Sequence, residues 1–167
     1  MPSYEGRQGN RQGQGHNSRQ QTTAESSETV VYYDADGNID KKWVDEKALD
    51  VVNKLTPERD QRTGKAEKNN KSNINSAQLR RFYSEVKTLE RIWITRGQTN
   101  EAFAALLPQI KILKAKAAYA KGREVAPQYF QIWMSAHVDA VNSPKDFEAF
   151  LLHFEAVIGF SKQYLAD

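Results

Sequence analysis

The chain contains no cysteine among its 167 residues, and it has only two methionines and three histidines. The absence of cysteine excludes disulfide bonds and thiolate metal sites, and it fits a reducing compartment. No apolar run approaches the roughly 20 residues of a membrane-spanning helix. The N-terminal residues also lack the apolar segment of a secretory signal peptide. We therefore expect a cytoplasmic protein that does not contact a membrane.

Hydrophobic residues are scarce at 39% of the chain, and most of them follow residue 76. Residues 1–28 are rich in Gly, Gln, Ser, Asn and Arg, and Tyr4 is their only aromatic side chain. Such a segment cannot bury enough apolar surface to offset the entropy lost on ordering. The sequence predicts a disordered polar tail over residues 1–28 and one helical domain over residues 29–167.

The segment that follows the tail is predicted to be peripheral to the bundle. Residues 29–39 form a short extended stretch that ends in a turn at Gly37. Asp40 can cap a first helix over about residues 41–55, whose apolar side chains share one face. Residues 57–75 are polar throughout, and we interpret them as a solvated linker.

Residues 76–167 are predicted to form the core bundle. Ser76 can cap a helix over about residues 77–95, and a third pattern over residues 101–121 is expected to kink at Pro108. Two further helices are predicted over about residues 127–141 and 144–164, the second capped by Ser143. The fold class that follows is all-α, a compact bundle of about five helices. The apolar residues predicted to face its interior include Leu79, Phe82, Val86, Leu89, Trp93, Phe130, Trp133, Met134, His137, Val138, Phe147, Phe150, Leu151, Phe154 and Val157.

Two helical patterns have more apolar residues than one buried face requires. The last helix has a second apolar strip, the Ala149 strip, which comprises Ala149, Leu152, Ala156, Gly159 and Phe160. The third pattern has another, the Tyr119 strip, which comprises Ile112, Ala115 and Tyr119. Burial within the monomer and contact with a second chain both remain open for such strips.

No residue pattern indicates an active site. His137 and His153 lie within core patterns, where a buried, hydrogen-bonded histidine is commoner than a metal ligand. No Gly-rich phosphate loop follows a strand, and no serine has a recognisable base partner. We expect no catalytic residue, no metal site and no cofactor.

The distribution of charge is uneven along the helical region. Residues 76–125 contain ten basic and four acidic residues, whereas residues 126–167 have a net charge of −3. This asymmetry predicts a polyanionic partner for the basic half. Cations recur on two of the predicted helices. The first basic stripe, Arg80, Lys87 and Arg91, lies on one helix face. On the third pattern Lys111, Lys114 and Lys121 share a face, and the second basic stripe is defined as Lys114 and Lys121 of that row together with Arg123 at the end of the pattern. Lys and Arg are also common on helix faces that are simply exposed to water, so an exposed face without a ligand remains an open interpretation.

Three blocks of sequence resemble a known family. LRRFYSEVKTLER, LLPQIKILKAKAAYAKGR and DFEAFLLHFEAVIGF follow one another in the order found in the small-subunit family of type III-A CRISPR effector complexes, the Csm complexes. The resemblance covers roughly residues 74–160. It implies an all-helical, non-catalytic subunit that stacks in several copies along a backbone of other subunits. Family members contact the guide–target RNA duplex and the large subunit, and the backbone subunit cleaves the target.

Two hypotheses for the function follow. In the first, the chain is a non-catalytic, RNA-contacting structural subunit of a type III-A antiviral ribonucleoprotein, with guide RNA, target RNA, copies of itself, and the backbone and large subunits as partners. The two basic stripes would then contact phosphates without reading sequence. In the alternative, the chain is a helical protein–protein adaptor without direct RNA contact, and the Ala149 strip is its functional surface.

Overall fold

The computed structural model describes residues 29–165, and within this range the chain is helical with no strand longer than an isolated bridge. This confirms the predicted all-α class. The predicted tail over residues 1–28 lies outside the described residues. The elements, in chain order, are a 3-10 helix (Lys41–Val44) and the helices α1 (Glu46–Leu55), α2 (Ser76–Thr95), α3 (Asn100–Lys111), α4 (Leu113–Gly122), α5 (Gln128–Ala140) and α6 (Pro144–Ser161).

The N-terminal stretch closes through the predicted turn. Gly37 adopts φ +77°, a left-handed conformation that glycine reaches without steric cost. The carboxylate of Asp34 accepts hydrogen bonds from the backbone N–H groups at positions 36 and 38. Asp40 caps the next helix, as predicted, by accepting from the N–H of Lys42 at 3.0 Å. The single helix expected over residues 41–55 is instead two, because Asp45 leaves the helical conformation (φ −128°, ψ −100°) between them.

The polar segment before α2 is tied to the bundle by hydrogen bonds. The N–H of Ala66 donates to the carbonyl of Tyr164 at 2.7 Å, and the N–H of Ile74 donates to the carbonyl of Leu55 at 2.8 Å. The buried side chain of Asn73 accepts from the N–H of Glu58 and donates to its carbonyl. A polar sequence therefore forms a fixed loop here, because side-chain and backbone partners satisfy groups that would otherwise need water.

Helices α2 and α3 each begin at a side-chain cap one residue earlier than the sequence suggests. Asn75, rather than Ser76, caps α2 and accepts from the N–H of Ala77 at 2.7 Å. Thr99 caps α3 by accepting from the N–H of Ala102 at 3.1 Å. Neighbouring Asn, Ser and Thr all favour the cap position, so the sequence leaves its register open by one residue.

The interruption of the third pattern lies further along the chain than the expected position at Pro108. Pro108 lies inside α3, and the interruption comes four residues later at Ile112, which keeps a right-handed helical conformation (φ −68°, ψ −16°). The N–H of Ile112 donates to the carbonyl of Pro108, and its own carbonyl accepts from Lys116. The hydrogen-bond ladder thus runs through the junction, so α3 and α4 form a nearly continuous unit.

Helices α5 and α6 follow the prediction closely. Pro127 is the N-cap of α5, and the Ser143 hydroxyl caps α6 by accepting from the N–H of Asp146 at 3.2 Å. Burial alone would raise the pKa of Asp146, but hydrogen bonds from Tyr33, Ser143 and Asn142 outweigh burial and hold it below its usual value.

A single apolar core connects all the helices. Trp93 of α2 and Phe154 of α6 are both buried in it, as the sequence predicts. The ring of Phe154 lies 4.9 Å from that of Trp133, measured between centroids. The core also takes in Tyr32 and Trp43 from the segment that the sequence places outside the bundle.

The N-terminal elements account for the Ala149 strip. α1 packs along α6, and the 3-10 helix contacts the same helix. Ala149 is fully buried, and Ala156 and Phe160 are half-buried against the core. Only Leu152, with 45% of its surface accessible, remains a large exposed side chain of this strip. The strip is therefore covered in large part within the monomer, and Leu152 and Gly159 remain exposed.

Candidate nucleic-acid interface

The six predicted RNA-contacting residues lie on two separate flanks. One flank of α2 faces α4, where Glu85 forms an ion pair with Lys116. The opposite flank of α2 faces α6, where the ring of Tyr83 lies 5.4 Å from that of Phe154. The first basic stripe lies on the Tyr83 flank and the adjoining outer surface of α2. The second begins at Lys114, on the flank of α4 that faces α5.

The first basic stripe lies at the surface, but acids neutralise its centre. Arg80 and Arg91 are exposed. Lys87 is half-buried and forms an ion pair with Glu90. The hydrogen bond that Lys87 donates to Glu90 is the main reason that the pKa of Lys87 is raised, and the charge of Glu155 on α6 contributes in the same direction. Partly exposed pairs of this kind are worth about 0–1 kcal/mol, so a phosphate group can replace the carboxylate at small cost.

Arg80 also lines an open groove of about 580 Å³ beside the beginning of α2. The loop of residues 66–71 and Glu124, just after α4, also line this groove. Glu124 forms an ion pair with Lys71, whose hydrogen bond lowers the pKa of Glu124. The groove is thus polar and of mixed charge rather than uniformly basic.

The second basic stripe is paired at one end and exposed at the other. The Nζ of Lys114 lies 2.6 Å from a carboxylate oxygen of Asp139 on α5. Lys121 and Arg123 are exposed at the C-terminal end of α4. The guanidinium carbon of Arg123 lies 5.7 Å from the ring centroid of Tyr119, within cation–π range.

Lys111, which the sequence places beside the second stripe, has a structural role. Its ammonium group donates to the carbonyl oxygens of Val138 (2.8 Å) and Val141 (2.7 Å), and it lies 3.3 Å from the side-chain oxygen of Asn142. These acceptors belong to the C-terminal end of α5, where a cation also complements the helix dipole. Partial burial lowers the pKa of this lysine. Lys111 therefore caps α5 and is not available to a ligand.

The two core histidines are buried and hydrogen-bonded, which confirms the sequence interpretation. Their rings stack with centroids 4.6 Å apart. A 2.8 Å hydrogen bond joins the Tyr32 hydroxyl to Nδ1 of His137. The indole N–H of Trp133 donates to Nε2 of His153 at 3.2 Å, so Nδ1 of neutral His153 carries the proton and donates to the carbonyl of Trp43 at 2.6 Å. Burial lowers the pKa of both histidines, that of His153 to about 4.

The described residues contain no cluster of three or more His, Asp or Glu side chains that would suit a metal ion. The histidine pair instead connects the N-terminal segment to α5 and α6.

The structure adds an aromatic surface to the predicted basic residues. Tyr119 exposes 66% of its surface and Ile112 exposes 52%, so the Tyr119 strip faces solvent. The signal in the sequence was the second apolar strip of this helix. The sequence could not show whether this strip is buried or exposed, because only the packing of α4 against α5 determines which side of the helix remains uncovered.

The comparison with protein families bears on the same helices. A family model described as Csm2 Type III-A matches residues 50–167, which include all six α-helices except the beginning of α1. The chain belongs to the Csm2 family. Csm2 chains are structural small subunits that assemble within the type III-A CRISPR Csm complex. No curated protein and no solved structure matches this Csm2-family chain significantly. In the part of the chain that the structure describes, no helix is both long and apolar enough to cross a membrane.

Proposed function

We propose that this Csm2-family chain is a non-catalytic, RNA-contacting subunit of a cytoplasmic type III-A antiviral ribonucleoprotein. Several copies stack along the guide–target RNA duplex, beside the backbone and large subunits. Base pairing reads the sequence of the target, so the small subunit needs only contacts that are independent of sequence. Lysine and arginine side chains on helix surfaces supply such contacts to phosphates.

The observation that carries this proposal is the outward position of the cations. Arg80, Arg91, Lys121 and Arg123 are all exposed, although buried residues lie within three positions of each of them along the chain. α4 contains three lysines and no acidic residue. Two surfaces of one chain thus offer positive charge, which suits a ligand that passes from one subunit to the next.

The adaptor alternative requires the Ala149 strip to be an exposed surface. Ala149 is buried within the monomer, and the neighbouring residues of the Ala149 strip are largely covered by the N-terminal elements. Leu152 alone is too small an exposed feature to make a protein interface of ordinary size, which buries about 800 Å² on each partner.

Target-RNA binding by a reconstituted complex tests the first basic stripe. The variant Arg80→Ala/Lys87→Ala/Arg91→Ala removes three positive charges from α2. If each side chain contacts a phosphate, the dependence of log K on log salt should become shallower by roughly two to three units. Affinity at low salt should fall, and the loss should be equal for targets of different sequence that match their guides.

The matched control is Lys41→Ala/Lys42→Ala/Arg62→Ala, which removes the same charge from exposed positions outside both stripes. This control should keep the wild-type salt dependence. An equal effect of the two triple variants would mean that net charge alone is responsible. An unchanged salt dependence in the Arg80 variant would remove the first basic stripe from the RNA path.

A further inference from the structure

The Tyr119 strip is an exposed apolar surface within a basic helix. Single exposed apolar residues are ordinary on protein surfaces. Here, however, two large side chains stand on one face of the α3–α4 unit with Ala115 between them, and all three are exposed. No described element covers Tyr119, which keeps two thirds of its surface accessible.

The charges around this ring are mainly positive. Lys116 lies one turn before Tyr119 and is paired with Glu85, whereas Lys121 and Arg123 follow it at the end of α4. The guanidinium group of Arg123 already lies over the ring at 5.7 Å. An apolar, planar group bordered by cations matches the chemistry of a nucleotide, which combines a flat base with a negative phosphate.

The size of the strip favours RNA over a second protein chain. A stable protein–protein contact buries about 800 Å² on each partner, whereas one aromatic ring offers an area that a single nucleobase covers. The ring of Tyr119 is therefore sufficient for one base, whereas the whole Tyr119 strip is small for a subunit interface.

We propose that Tyr119 is a stacking platform for an unpaired base of bound RNA, with Lys121 and Arg123 contacting the adjacent phosphates. This inference rests on the proposed function, and it adds a residue and a type of contact. The basic stripes hold the phosphate chain, whereas Tyr119 contacts a base through its face without reading its identity.

The test compares two single-stranded RNAs of about 12 nucleotides, one with adenine bases and one abasic, bound to the full-length chain at low salt. Both carry the same phosphates, so any difference in affinity measures base contacts. The wild type should prefer the adenine RNA. Tyr119→Ala should weaken adenine binding by roughly 5- to 100-fold and leave abasic binding unchanged. Tyr119→Phe, which keeps the ring, should retain the preference.

Two controls separate stacking from other effects. Ile112→Ala removes an exposed apolar side chain of the same strip and should keep the preference for adenine. Lys121→Ala should weaken both RNAs equally. Equal binding of both RNAs by the wild type would overturn the stacking inference and leave the proposed function intact, whereas binding of neither would count against both. A change in sedimentation of Tyr119→Ala, with the RNA preference unchanged, would assign the strip to a second copy instead.

Discussion

Acid should destabilise this protein through His153, well above the pH at which carboxylates are protonated. The ring of His153 has none of its surface accessible to solvent. Its Nε2 accepts a hydrogen bond from the indole N–H of Trp133. A proton on Nε2 would replace this hydrogen bond with two N–H donors that point at each other. Burial is the main reason that its pKa falls from 6.5 to about 4, and the charge of Lys47 acts in the same direction.

The direction of the pH effect on stability follows from the pH at which the folded and the unfolded state each bind the proton. An unfolded chain protonates this histidine below about pH 6.5, whereas the folded chain stays neutral down to about pH 4. The stabilisation is therefore complete above pH 6.5 and is lost as the pH falls toward 4. At pH 5.0 the difference corresponds to about 2 kcal/mol for His153 alone. His137, whose pKa is also lowered by burial and by the neighbouring histidine, adds to this loss.

Urea denaturation at pH 7.5 and pH 5.0 measures the effect. The free energy of unfolding of the wild type should fall by at least about 2 kcal/mol between the two, a large part of the 5–15 kcal/mol typical of a domain. Ordinary carboxylates titrate mainly below this window. Asp146, with its lowered pKa, titrates lower still.

The matched variant is His153→Gln, whose amide oxygen can accept from Trp133 but does not titrate. It should be less stable at pH 7.5, yet its stability should change about 2 kcal/mol less between the two pH values. A wild type that loses less than about 0.5 kcal/mol, or a variant with the full wild-type loss, would refute the linkage between this buried ring and acid stability.

Two further predictions concern the core and a helix cap. Phe154→Ala should lower the free energy of unfolding by about 3–5 kcal/mol, because the ring is fully buried against Trp133; Trp93→Ala should have a similar effect. If Phe154→Ala abolished assembly while urea denaturation of the monomer stayed unchanged, the assignment of this face to the core would be contradicted. Lys111→Met should cost about 1–3 kcal/mol, since the carbonyl oxygens at the end of α5 lose their donor. The exposed Lys121→Met should change stability by less than about 0.5 kcal/mol, and equal losses for the two lysines would rule out the capping role.

Features that depend on neighbouring residues could be predicted from the sequence. Asp40 and Ser143 act as N-caps where expected, because a cap needs only its own side chain and an N–H two or three residues later. Buried helix faces, such as that of Leu79 and Val86, follow from the 3.6-residue period. The burial of His137 and His153 was also predictable, because both lie within those periods.

Features that depend on distant residues could not be predicted from the sequence. Lys111 and Lys114 lie three positions apart and look equivalent in the sequence, yet one caps α5 and the other forms a surface ion pair. Their partners lie about 25–30 residues further along the chain, and only the packing of α3 and α4 against α5 selects them. Packing between distant elements also explains why the two apolar strips differ in exposure.

The Ala149 strip is largely covered within the monomer, on the helix that packs against α1 and the 3-10 helix, while the Tyr119 strip stays exposed, although both are second apolar faces of amphipathic helices. Helical periodicity therefore determined which residues could be buried or presented together on a surface. Tertiary packing decided which faces were covered, because burial depends on the arrival of another element from a distant part of the chain. For the candidate interface, tertiary packing makes the Ala149 strip largely an internal contact and leaves the Tyr119 strip on the surface, where we propose that RNA binds.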